Sequence, residues 1–263
     1  MVYKQISVEP IAGACGAEIT GINLAKQIKR ETFAELYDAW LKHQVLFFRN
    51  QKLTSEEYIK FAKKWGGIHI HPFVKGLRSH PEILEVKKIE TDTYTFGNRW
   101  HTDQMFSPRP AKATLLYAKE TPSVGGDTLY ANMYEAYNSL STGMKRMLSP
   151  INTFNVGDGN KRSGKYGNRQ DRYKGASAKP KIPPKGLKTN SQHPLVRTHP
   201  ETGRKALYIG VHTQELVDFA PEEGNYLIEM LRAHCAKEEF IARFRWQKNS
   251  MAIWDNRCLQ HYA

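Results

Sequence analysis

The chain has 263 residues, 40% of them hydrophobic, enough for one sizeable core, and it reads as a single domain over 1–263. The formal net charge is +13, but residues 161–190 carry ten Lys or Arg against one acid, Asp171, so the excess is local and does not describe a basic surface. No apolar run is long enough to cross a bilayer and no basic-then-apolar export signal opens the chain; the three cysteines, Cys15, Cys235 and Cys258, are too scattered for a disulfide framework or a thiolate metal site, so a cytoplasmic protein is expected.

In chain order, residues 33–41 carry the apolar spacing of an amphipathic helix, and 45–48 form a short apolar run read as a buried strand. Thr54-Ser55-Glu56-Glu57 is a capping box: the threonine hydroxyl can accept from a free amide of the first turn while Glu57 reaches back. Tyr58, Phe61, Ala62 and Trp65 follow at helical spacing, and Gly66-Gly67 ends that helix. Short β-rich runs at 83–86, 113–118, 128–131, 195–198, 206–209 and 250–254 lie between polar turns, and 219–234 and 238–244 read as late helices. Many short strands with helices outside them mean a mainly β, α+β protein built as a barrel or sandwich.

The basic segment belongs to an irregular insertion at about 157–192, rich in Gly, Pro and Ser. Such a loop in an enzyme reads as a lid, and its charge would attract an anionic substrate. Nucleic-acid binding would call for stacking aromatics among the charges, and the run offers only Tyr166 and Tyr173, so no nucleic-acid partner is expected, nor a membrane one. Oligomeric state is not written in the sequence; a homo-oligomer stays open.

Two tryptophan-anchored segments carry the chemistry: Trp100-His101-Thr102-Asp103, and Trp254-Asp255-Asn256-Arg257-Cys258-Leu259-Gln260-His261. Alternate residues of a strand point the same way, so His101 and Asp103 can reach one ion while Thr102 faces away. His261, far off in sequence, is read as the third ligand, on a strand of the opposite barrel wall. Two imidazoles and a carboxylate on one face of a metal leave the other face open, the arrangement non-haem Fe(II) uses for a co-substrate and oxygen. The same triad could hold a metal-bound water in a metal-dependent hydrolase, which remains an alternative. The cysteines are read as buried spectators, with Cys258 alone close enough to His261 to be worth watching for oxidation.

These two segments, together with Ala118-Lys119-Glu120-Thr121-Pro122-Ser123-Val124-Gly125-Gly126-Asp127-Thr128, Gly16-Ala17-Glu18-Ile19 and His43-Gln44-Val45-Leu46-Phe47-Phe48-Arg49, closely resemble the taurine dioxygenase family of Fe(II)- and 2-oxoglutarate-dependent oxygenases. The resemblance runs along nearly the whole chain. It implies a double-stranded β-helix core, the cupin-like jelly roll, with Fe(II), 2-oxoglutarate and O2 as cofactor and co-substrates. It implies His101, Asp103 and His261 as iron ligands, Thr128 as the hydroxyl that bonds the distal carboxylate of 2-oxoglutarate, and Trp254 as a wall beside the iron. His71 falls where the family touches the sulfonate of taurine. Val74 replaces a tyrosine and Gly97 an asparagine of that substrate site, so the expected substrate is another small organic anion of the sulfonate, alkyl sulfate or phenoxyalkanoate class. It would be hydroxylated with release of succinate and CO2. The family also places an arginine roughly a dozen residues beyond the second histidine, where its planar fork pairs with the distal carboxylate. This sequence stops at Ala263, so a closing C-terminal strand is read as missing. Arg257 or an arginine of the insertion is the candidate substitute, and a family member that has lost 2-oxoglutarate binding is the alternative reading.

Overall fold

The run Val45–Phe48 is apolar at every position and wholly buried, and a strand buried on both faces has to lie between two packed layers. In the structure, a computed structural model that describes residues 2–93, 95, 97–157, 177, 181 and 184–263, it is the middle strand of the largest sheet. That sheet runs β1 (Ser7–Pro10), β2 (Ala17–Thr20), β3 (Val45–Phe48), β12 (Met251–Asp255) and β4 (Ala113–Tyr117), antiparallel except between β2 and β3. A three-stranded antiparallel sheet of β11 (Ile241–Phe244), β5 (Thr128–Asn132) and β13 (Leu259–Tyr262) faces it. A third sheet joins β10 (Thr213–Leu216), β6 (Asn152–Val156) and β7 (Asn190–Pro194), and β8 (Val196–Thr198) pairs with β9 (Lys205–Leu207) as a hairpin.

The two faces of β3 explain the layering. Val45 and Phe47 point inward, and the Phe47 ring stacks on Phe244 of β11 with centroids 4.0 Å apart, joining the two sheets through one apolar core. Leu46 and Phe48 point outward into a second cluster with Ile19, Ile253, Trp40 and Phe61. Trp40 belongs to α1 (Arg30–His43), which ends where Gln44, at φ 65, returns its N–H to the Trp40 carbonyl at 2.7 Å and turns the chain into β3. Phe61 belongs to α2 (Ser55–Ala62), whose capping box is formed: Thr54 Oγ1 accepts from Glu57 N–H at 3.2 Å and Glu57 accepts from Thr54 N–H at 2.8 Å. On the far side of the smaller sheet, α3 (Met133–Asn138), α4 (Thr142–Leu148) and α5 (Pro221–Cys235) pack over the outward face of β5. The outcome is the expected sheet-built core with helices outside.

Two predicted elements come out differently. Residues 83–86 form no strand: Val86 is exposed, no strand among the described residues pairs with the segment, and Leu84 packs against Phe73, Val74 and Phe106. Residues 238–244 are not a helix. Glu238–Phe240 makes one 3-10 turn and the chain then extends into β11, because Ala242 and Phe244 alternate into the core with a period of two. Most of the basic insertion, including Tyr166 and Tyr173, lies outside the described residues. Among the described residues no helix is long and apolar enough to cross a membrane.

Candidate metal centre

His101, Asp103 and His261 come together, but not from opposite walls. His101 pairs directly with His261 as an antiparallel bridge, exchanging N–H···O bonds of 3.1 and 2.9 Å. Residues directly opposite on antiparallel strands project from the same face, so the imidazoles lie side by side with ring centroids 4.1 Å apart. His261 is held from its other edge by pairing with Tyr130 on β5. After His101 the chain turns, carrying Asp103 back over the pair: its Oδ1 lies 3.6 Å from His101 Nε2 and 3.9 Å from His261 Nε2. These separations exceed a hydrogen bond, and one donor atom from each of the three residues lies within 4.8 Å of the others, close enough to share one ion.

The surroundings suit metal ligation. His101 Nδ1 bonds the Arg99 carbonyl at 2.7 Å, so its proton sits there and Nε2 presents a lone pair. Burial, with His101 adding to it, pushes the His261 pKa down to about 3, leaving a neutral imidazole. Its Nδ1 is buried with no hydrogen-bond partner among the described residues. Burial works to raise the Asp103 pKa, but attraction to His261 and His101, a hydrogen bond from Thr114 and the nearby His71 together hold it below the usual carboxylate range. Two imidazole nitrogens and an ionised carboxylate oxygen are the donor set that fits Fe(II).

The other expected residues distribute around this point. The Trp254 ring stands 4.7 Å from the His261 ring and 5.7 Å from the Tyr130 ring. Thr128 is buried at the start of β5, two residues from Tyr130 on the same strand face, and its hydroxyl accepts from Trp246 Nε1 at 2.9 Å. His71 Nδ1 accepts the N–H groups of Phe73 and Val74 at 3.2 and 3.1 Å, which puts its proton on Nε2. Val74 itself is buried among Phe73, Phe106 and Leu84. Gly97 adopts φ +83, and a Cβ there would sit 3.6 Å from His101 Cε1.

Arg257 is not a spare cation. Its Nε and NH2 bond the two oxygens of buried Asp255 at 2.8 and 2.7 Å, its NH1 pairs with Glu201, and its guanidinium lies over the Trp40 ring. Asp255 also meets His199 Nε2 at 3.1 Å. His199, Asp255 and Cys258 are close enough to suggest a second metal site. The carboxylate there is already saturated by Arg257 and His199, and burial raises the Cys258 thiol pKa well above its ordinary value, so the cluster is an internal ion pair. The same burial removes Cys258 as an oxidation-prone thiol.

Sequence reasoning missed three residues. Thr114 donates to Asp103 Oδ2 at 2.6 Å, Asn256 donates to Thr114 at 2.8 Å, and Tyr130 brings a buried hydroxyl without a partner among the described residues to the wall beside His261. Asn256 sits inside the tryptophan-anchored segment and was open to being found. Thr114 becomes visible only with the strand register, which sets it opposite Trp254.

The geometry agrees with what the chain is similar to. An alkylsulfatase of Acinetobacter baylyi is 32% identical over 271 residues, covering 99% of this chain and 80% of that protein. An alpha-ketoglutarate-dependent sulfate ester dioxygenase of Pseudomonas putida is 30% identical, covering 98% and 84%. The crystal structure of a taurine dioxygenase from Burkholderia xenovorans superposes with a TM-score of 0.81 at 29% identity, covering 99% of this chain and 83% of that one. With residues 7–263 matching the family as a whole, the chain belongs to the taurine catabolism dioxygenase TauD, TfdA family.

Proposed function

We propose that this protein is a 2-oxoglutarate-dependent dioxygenase that holds Fe(II) with His101, Asp103 and His261 and hydroxylates a small organic anion. The observation that carries the site assignment is the meeting of two histidine Nε2 atoms and one carboxylate oxygen, with Asp103 Oδ1 at 3.6 and 3.9 Å from the two nitrogens. Bound there, Fe(II) supplies the redox chemistry by which O2 and 2-oxoglutarate yield succinate, CO2 and a hydroxylated substrate. The protein's own work is placement. Trp254 and Tyr130 wall the site against water, which strengthens every electrostatic contact inside it. Thr128 is the hydroxyl assigned to the distal carboxylate of 2-oxoglutarate. On the substrate side, the tautomer of His71 makes Nε2–H a donor suited to an anionic head group. The similarity to an alkylsulfatase and a sulfate ester dioxygenase favours sulfate esters first, then sulfonates and phenoxyalkanoates. Hydroxylation of the carbon next to the ester oxygen lets the product collapse to an aldehyde and sulfate.

The test is anaerobic titration with Fe(II) and then 2-oxoglutarate, read by the visible charge-transfer band of the iron–oxo acid chelate. A saturable band in the wild type that disappears in His101→Ala is expected. With oxygen and an alkyl sulfate, succinate and aldehyde should form in equal amounts. Turnover of substrate without oxygen or oxo acid would instead establish a hydrolase.

A further inference from the structure

Asp103 reaches the candidate centre with only one of its two oxygens, and the other is held by a relay whose direction is fixed at its far end. The Trp254 indole N–H can only donate, and it donates to Asn256 Oδ1 at 3.1 Å. That contact settles which way the Asn256 amide faces, an orientation that hydrogen-bond partners alone determine. The Asn256 backbone N–H is pinned to the Lys112 carbonyl at 3.0 Å, and its side-chain oxygen also receives the Asp103 backbone N–H at 3.4 Å. With Oδ1 committed, Nδ2 donates to Thr114 Oγ1 at 2.8 Å. The threonine hydroxyl, accepting there, spends its own proton on Asp103 Oδ2 at 2.6 Å. The relay is anchored where two strands pair, since Thr114 and Trp254 are register partners on β4 and β12.

We infer that Thr114, oriented by Asn256 and Trp254, is a positioning residue that keeps Asp103 a one-oxygen ligand. The inference rests on the metal-site reading above. Six-coordinate Fe(II) with three protein donors has three places left, two for a chelating oxo acid and one for oxygen. A carboxylate that swung round to bind through both oxygens would take one of them. The hydroxyl occupies Oδ2 with a short, charge-assisted bond and also sets the carboxylate plane.

The experiment compares wild type, Thr114→Val, which keeps the shape but removes the hydroxyl, and Thr114→Ser, which restores it. Each is titrated anaerobically with Fe(II) and Co(II), then with 2-oxoglutarate, and its melting temperature is measured. Thr114→Val is expected to bind metal about 10–100-fold more weakly, the usual effect of losing an outer partner of a ligand. Its Co(II) ligand-field spectrum should shift toward a different coordination, its oxo-acid affinity should fall, and Thr114→Ser should recover all three. If the valine variant does not fold, Thr114→Ala removes the same hydroxyl without a branched methyl to place. Unchanged metal affinity, spectrum and oxo-acid binding in a folded variant lacking the hydroxyl would overturn the inference. Failure of the wild type itself to bind either metal would overturn the site reading beneath it, and the two failures are told apart in the first titration.

Discussion

Arg257→Met separates two roles that an arginine beside a metal-site segment could have. If Arg257 were the counter-ion of 2-oxoglutarate, its loss would weaken oxo-acid binding and leave stability alone. The structure commits it elsewhere: two charge-assisted bonds hold Asp255, whose side chain is 1% exposed, and NH1 pairs with Glu201. Breaking a buried pair from one side costs about 3–5 kcal/mol, because the remaining charge stays inside. Asp255 would retain His199 and the backbone N–H of residue 257, so the lower half of that range is expected. At roughly 2–4 °C per kcal/mol for a chain of this size, the melting temperature should fall by about 6–15 °C. Acid should expose the same cluster. Burial tends to raise the Asp255 pKa, but Arg257 and His199 overcome it, and Glu201 is likewise held low by Tyr37 and Arg257 against its own burial. Both carboxyls are therefore lower in the folded chain than in the unfolded one. Their stabilisation is complete above pH ~5 and is lost as pH falls below the ordinary carboxylate values of ~4 toward the depressed folded ones. Urea unfolding at pH 7 and at pH 3.5 should show wild type losing more stability on acidification than Arg257→Met. A melting temperature within 2 °C of wild type, together with lost oxo-acid affinity, would refute the reasoning and return Arg257 to the active site.

Gly97→Ala should weaken metal binding while leaving most of the fold intact. Its φ of +83 costs an L-residue about 1–2 kcal/mol, and the added Cβ meets Ala263 Cβ at 3.2 Å and His101 Cε1 at 3.6 Å, so the strain relaxes onto a ligand; isothermal titration with Co(II) and a thermal melt read the two effects. All three cysteines should be silent to a thiol reagent at pH 8 in the native protein and react together in denaturant. Each is buried, and burial raises Cys15 and Cys235 to about 12 and Cys258 well above its ordinary value; rapid native labelling of even one would contradict its placement.

What could be read from the sequence was whatever depends on neighbours along the chain. The capping box at Thr54 and Glu57 and the apolar run Val45–Phe48 are local patterns, and each appears as expected, whereas His101 and Asp103 meet through a turn and not through the alternation of a strand. What could not be read depends on which strands become neighbours. Residues 238–244 begin with two glutamates and read as a helix, yet the inward packing of Ala242 and Phe244 onto the opposing sheet decides for a strand. Its distance in sequence points His261 to the opposite wall of a barrel, whereas antiparallel pairing puts it beside His101 and makes the imidazoles side-by-side neighbours, their planes tilted by 46°. Arg257, by its position in a metal-site segment, looked available to a bound anion until the fold placed Asp255 and Glu201 against it. The same division runs through the centre itself. Residue type and spacing name the three ligands, but only the register of β4 against β12 sets a threonine behind Asp103, so that Oδ2 is already taken and Oδ1 is the oxygen left to face the two histidines.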